Sequence, residues 1–296
     1  KGYKCIFVRY GIFLCQFGYR FEMSLTKVTK GQNFRCGFFE VDPLTRLKQI
    51  KQAGFDETMF WWGTEFEDTD GSRFDLFDNA VKIGLSVSTC HFPSTHADWL
   101  WYEQEGKEYV KQFDQACAEC GERGVKYLVI HLTRKLVTPP PNQTGADNFA
   151  RMLDGANKHG VVIAVENTRF LNYNDFIVSR FKGNPALGFC FDSGHANCYT
   201  PLESPLERYS DMLVTTHIHD NMGPVGAEPD QHHVMGEGTV NFHRIFDLLK
   251  KFDAKHINLE SYCNPTSRYY GKLSLQQFLQ MSFDRLTEQM KKSGIE

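Results

Sequence analysis

Eight short apolar runs recur along the chain: FRCGFF (34–39), ETMFWW (57–62), LSVSTCHF (85–92), VKYLVIHL (125–132), VVIAVEN (161–167), LGFCFD (187–192), LVTTHIHD (213–220) and HINLES (256–261). Most are nearly continuous rather than alternating, as strands buried on both faces must be. Helical patterns fill the intervals, from DPLTRLKQIKQAG after the first run to SLQQFLQMSFDRLTEQMKKSG after the last. Gly54, Gly84, Gly124 and Gly160 each fall just before the next run, where a helix is expected to stop. Eight strand–helix pairs predict an α/β fold, a single-domain (β/α)8 TIM barrel over residues 33–296. A doubly wound open sheet would leave one or two of the pairs without a place.

The 41% apolar content supplies a core without staples. Lys and Arg number 33 against 36 Asp and Glu, a net charge of −3, which gives no electrostatic footprint for nucleic acid. Nine scattered cysteines fit reduced thiols and a cytoplasmic location better than a disulfide framework. Cys117 and Cys120 form a CxxC with no second pair, which reads as two thiols on one helix face. The opening KGYKCIFVRYGIFLCQFGYRFE is too short in its apolar run for a membrane span. Residues 1–32 are therefore set apart as a non-native or poorly ordered extension, with Met23 a candidate natural start. No later segment predicts a membrane helix.

Chemistry in a barrel of this kind sits at the C-terminal ends of the strands. Strand 3 ends at His91, strand 4 at His131, strand 5 at Glu166 and strand 6 at Asp192, with His195 just beyond. Strand 7 carries His217 and His219, and strand 8 ends at Glu260. An ionised carboxylate closing an apolar strand is costly unless paired or liganded. Several carboxylates and imidazoles at one mouth call for a cation. His96, His159, His243 and His256 read as ordinary loop or core residues. Trp61, Trp62 and Phe92, near the ends of strands 2 and 3, are either an apolar wall for a substrate or plain rim aromatics. Past strand 7, DQHHVMGEG (230–238) brings Asp230 and His232 across the mouth, and Asn241 is a good helix N-cap. The N–H groups at Gly236 and Gly238 either cradle a phosphate or make a simple turn.

VENT (165–168), CFDSGHAN (190–197), HIHDN (217–221), DQHHVMGEG (230–238) and NLES (258–261) together resemble the xylose isomerase-like barrel superfamily, in its sugar phosphate isomerase/epimerase branch, which shares its domain with endonuclease IV. The resemblance covers residues 34–294. It implies a divalent metal (Mn, Mg, Co or Zn) held by Glu166, Asp192, His217 and Glu260, with His217 preferred over His219. It implies an isomerase or epimerase of a sugar or sugar phosphate, in which Glu166 and Glu260 move a proton through an enediolate. His195, Asp230, His232, Trp62, His91 and His131 are then substrate-binding. The alternative is an endonuclease IV-like phosphodiesterase of abasic DNA with up to three Zn, in which His91, His131, His195, Asp230 and His232 are additional ligands. The acidic balance, DSGHAN and HIHDN favour the sugar enzyme and a small-molecule partner over nucleic acid; the short apolar runs imply no membrane, and a homo-oligomer is left open.

Overall fold

Buried on both faces, the apolar runs pair side by side and close on themselves. The computed structural model describes residues 27–200, 204–226 and 229–295. Eight parallel strands form a closed barrel in chain order: β1 (Thr29–Asn33), β2 (Glu57–Trp61), β3 (Thr89–His91), β4 (Tyr127–Ile130), β5 (Val162–Glu166), β6 (Leu187–Asp192), β7 (Leu213–Ile218) and β8 (His256–Leu259). β8 pairs back to β1, with Gly31 opposite Asn258. Outside run α1 (Pro43–Ala53), α2 (Glu67–Asp70), α3 (Arg73–Ile83), α4 (Glu103–Glu122), α5 (Gln143–His159), α6 (Leu171–Phe181), α7 (Ser193–Tyr199), α8 (Ser204–Arg208), α9 (Phe242–Lys251) and α10 (Leu275–Ser293). The expected barrel is what forms.

The first strand lies elsewhere than expected. It is TKGQN, not FRCGFF, so the barrel begins inside the segment set apart as an extension. Residues 1–26 lie outside the described residues. Physical crowding explains the glycine in this polar strand. A Cβ on Gly31 would lie 1.7 Å from Asn258 Oδ1 and 2.9 Å from Glu57 Cγ, so the strand needs glycine to approach its neighbours. Phe34 and Cys36, from the run that looked like the strand, are buried just beyond it.

The main core lies between sheet and helices, where Leu47, Ile50, Phe113, Phe149, Phe246 and Phe278 are buried. Cys117 and Cys120 are buried free thiols on α4, as the helix-face reading requires. At the strands' N-terminal end, buried Glu57 accepts from Thr29 Oγ1 (2.8 Å) and Ser88 and meets His256 Nδ1 (3.2 Å), an ordinary buried network. Asn241 caps α9, accepting from Arg244 N at 3.1 Å. No described helix is long and apolar enough to cross a membrane.

Candidate metal centre

Strand geometry delivers the charged residues to one end. Glu166 and Asp192 are the last residues of β5 and β6, His91 the last of β3, and His217 the last but one of β7. His131 and Glu260 stand one residue beyond β4 and β8, and His195 sits in the first turn of α7. All converge around Glu166, which is buried. Its Oε2 lies 3.2 Å from His91 Nε2 and 3.1 Å from His131 Nε2. Its Oε1 lies 3.2 Å from His217 Nδ1, which is itself 3.3 Å from Glu260 Oε2 and 3.9 Å from Asp192 Oδ2. Across the mouth, Asp230 Oδ2 is 3.1 Å from His195 Nε2 and 3.2 Å from His232 Nε2. The ligand atoms fall into three main groups: His91–His131–Glu166, Glu166–Asp192–His217–Glu260, and His195–Asp230–His232.

These groups fit divalent cations on three counts. Ligands about 2.1 Å from an ion stand roughly 3.0–3.4 Å apart, from octahedral to tetrahedral angles, which matches the shorter contacts. Glu166 Oε1 and His217 Nδ1 are buried with no hydrogen-bond partner, although they face each other. Orphaned buried polar atoms are expensive unless something else satisfies them. Finally, the imidazole tautomers are set for ligation. His91 Nδ1 donates to the Phe92 carbonyl at 2.7 Å, His195 Nδ1 to the Asn167 carbonyl at 2.9 Å, and His232 Nδ1 to the Glu260 carbonyl at 3.2 Å. Each Nε2 is thereby left to face a carboxylate. It must then hold a proton or share a cation.

Electrostatics without a cation follow. Burial disfavours charge on Glu166, yet His217 and His131 outweigh it and hold the carboxyl well below its usual range. Burial likewise opposes charge on His195, but Asp192 and Asp230 keep its pKa well above the ordinary imidazole value. His232 is raised to about 10, with Asp230 overcoming burial. Burial pushes the Cys190 thiol beside His217 up to about 12, which makes it a poor ligand.

The mouth is a cavity of about 680 Å3 lined by Trp61, Phe66 and Tyr262 on one side and by His91, His131, His195, Asp230, His232 and Glu260 at its floor. Two expected wall residues are elsewhere. Trp62 is turned outward, because neighbours on a strand point to opposite faces, and it donates to Glu119 Oε2 at 3.0 Å. Trp61 takes the mouth and stacks on His91 with ring centres 5.0 Å apart. Phe92 is buried against Tyr109 and Phe113. Trp62 is therefore not placed to touch a substrate.

From the sequence, His219 is set aside as a ligand in favour of His217. It lies two residues from His217 on the same face, a signal that strand periodicity carries. Its Nε2 is 3.1 Å from Asp192 Oδ2, and its ring stacks on His232 at 4.0 Å. His232 itself has φ 50°, a left-handed conformation unfavourable for a non-glycine residue and held by its bonds to the β8 loop, including Tyr262 N to its carbonyl at 2.6 Å. The Gly236 and Gly238 N–H groups make a turn: both donate to Asp220 Oδ2, at 2.9 and 2.8 Å.

Against known proteins, the xylose isomerase-like TIM barrel family matches residues 47–276. The chain belongs to that family. Family relatives include the uncharacterized protein y4fM of Sinorhizobium fredii (strain NBRC 101917 / NGR234), 28% identical over 188 residues, which are 59% of this chain and 57% of that one. The chain thus matches little more than half of that relative's length. A probable endonuclease 4 of Nitrosopumilus maritimus (strain SCM1) is 24% identical over 219 residues, 67% of this chain and 78% of that protein. Among solved structures, a D-tagatose 3-epimerase-like protein superposes with a TM-score of 0.70 at 18% identity, covering 90% of this chain and 98% of the other. The barrel therefore has the fold of sugar epimerases and isomerases, and its clustered carboxylates and imidazoles could hold a divalent metal.

Proposed function

We propose that the protein is a divalent-metal-dependent isomerase or epimerase of a sugar or sugar phosphate. One observation carries this reading: a sugar-sized cavity with an aromatic wall has Glu260 at its floor, beside the ligand group of Glu166, Asp192 and His217. A divalent ion in that group supplies Lewis acidity, polarising a carbonyl and acidifying the neighbouring C–H. The oxygen-rich donor set suits Mn2+, Mg2+ or Co2+, with Zn2+ also accommodated.

The two glutamates have unequal parts. The Glu260 side chain is 14% exposed and lines the mouth, so it is the group placed to take a proton from a substrate carbon, leaving an enediolate; a proton returned to the adjacent carbon isomerises the sugar, and one delivered to the opposite face of the same carbon epimerises it. Glu166 is buried against the histidines, held in its charged form, and does not line the cavity, so it assembles the ligand groups rather than meeting substrate directly. His195 and His232 face the same cavity and are positioned to hydrogen-bond hydroxyls. Trp61 offers its ring to a sugar's C–H face.

The test is proton exchange. With a panel of ketoses and ketose phosphates in D2O, metal-loaded protein should incorporate deuterium at the carbon next to the carbonyl of its cognate sugar, and Glu260→Gln should abolish incorporation. Exchange at wild-type rate in that variant removes Glu260 from the reaction.

A second reading, a three-metal phosphodiesterase of abasic DNA, is favoured by the two groups beside the central one, His91–His131–Glu166 and His195–Asp230–His232, in each of which two imidazole Nε2 atoms face a carboxylate. The two readings separate on Asp230→Asn. In the sugar enzyme it should raise KM and leave the bound metal content unchanged. In the phosphodiesterase it should empty one ion of three and slow incision of an abasic duplex.

A further inference from the structure

Four cationic side chains line the mouth: Arg35, Arg134, Lys135 and Arg169. Arg35 is engaged, by Asp70 and by the Phe66 ring. Among the described residues, the side chains of Arg134, Lys135 and Arg169 have no hydrogen-bond or carboxylate partner. Arg169 instead lies over the Tyr199 ring, its guanidinium carbon 4.2 Å from the centre, which leaves its N–H fork available.

All three stand on the β4–β5 side of the mouth, and the backbone of Arg134 and Lys135 is fixed. Buried Asp98 accepts from Arg134 N at 3.3 Å, from Lys135 N at 3.2 Å and from the Thr138 hydroxyl, which pins the loop after β4. Arg169 stands two residues before α6. Phe170, the residue at that helix's N-cap, gives it no side-chain cap and also lines the cavity. Tyr173 N in the helix's first turn donates to the Phe170 carbonyl at 3.2 Å, whereas Leu171 N and Asn172 N have no partner among the described residues, and such groups favour an anion. The turn after β7 offers no competing cradle, since Asp220 already occupies its N–H groups.

We propose that Arg134, Lys135 and Arg169, with the first turn of α6, form an anion subsite for the phosphate monoester of the substrate. The mouth is then polar in one direction: phosphate on the β4–β5 side, sugar body toward Glu260 and the aromatic wall. A bound dianion gains charge-assisted hydrogen bonds from side chains that lose no existing partner. The substrate thus becomes a sugar phosphate rather than a free sugar. The sugar part of this inference rests on the isomerase or epimerase reading, whereas the anion subsite is tested by binding alone.

The experiment titrates inorganic phosphate into metal-loaded protein by calorimetry, comparing wild type with the double variant Arg134→Gln, Arg169→Gln. Both side chains are exposed, so metal content and thermal midpoint should be unchanged. Phosphate should bind about tenfold or more weakly to the variant, the loss of at least one charge-assisted contact. Equal affinity in the two proteins overturns the proposal, because phosphate then binds at the metal centre only. Loss of abasic-duplex binding with phosphate binding intact also overturns it, in favour of a polynucleotide. If phosphate behaves as expected but no sugar phosphate exchanges deuterium, the subsite stands and the isomerase reading fails.

Discussion

Glu166→Gln is expected to empty the central group and to cost roughly 10³-fold or more in turnover, while the barrel still folds. Glu166 joins two of the ligand groups: Oε2 faces His91 and His131, and Oε1 faces His217. Glutamine keeps the shape but removes the charge, and its amide presents N–H where two imidazoles need an anion. Losing a directly liganding charge forfeits several kcal/mol of Lewis-acid stabilisation, about three decades in rate. Folding should survive because the surrounding histidines can discharge. Metal analysis and circular dichroism check the two halves separately. A Gln variant with full metal content and wild-type turnover would sink the assignment.

The same contacts fix a pH signature. The metal-free pKa of Glu166 is depressed, so its charged contacts stabilise the fold above the ordinary carboxylate range and fade as pH falls through the lowered value. Raised His195, His217 and His232 hold protons that a cation must displace. Metal uptake by the wild type should therefore release protons and weaken as pH falls.

Much of this site was readable before any fold was known. Polar residues closing apolar runs stand out because nothing else in such a strand is charged, and the barrel's single functional face brings them together. That is why His91, His131, Glu166, Asp192, His217 and Glu260 could be gathered from six separate segments. Where pattern failed, the cause is local. β1 carries no apolar signal: Gly31 is pressed against Asn258, and its other residues, Thr29, Lys30, Gln32 and Asn33, are all polar. Trp61 and Trp62 are indistinguishable in composition, and only strand alternation decides which faces the mouth. The cations at 134, 135 and 169 vanish in a net charge of −3, since a sum over the chain hides where charges lie unpaired. Gly236 and Gly238 looked like a phosphate cradle because an anion does sit on their N–H groups; it is the chain's own Asp220.

Asp220 is also where the largest stability effect is expected. Its buried carboxylate accepts four backbone N–H groups: Asn221 at 2.9 Å and Val240 at 3.1 Å on Oδ1, Gly236 at 2.9 Å and Gly238 at 2.8 Å on Oδ2. Gly238 is packed so closely that a Cβ there would lie 2.1 Å from the Asn221 carbonyl, so the turn has no looser form to adopt. Asp220→Ala leaves four donors without their acceptor, which should cost about 3–5 kcal/mol. In a domain of this size that lowers the melting temperature by roughly 10 °C. Asp220→Asn, isosteric and usually mild, should do nearly as much harm. One amide oxygen can serve only one pair of N–H groups, and the amide NH2 then points at the other pair. The loop between these anchors carries Asp230 and His232, so either variant should also loosen the group they form with His195. Thermal unfolding of the two variants side by side decides the matter. An Asn variant that melts with the wild type would mean that the turn is held by packing, not by the carboxylate.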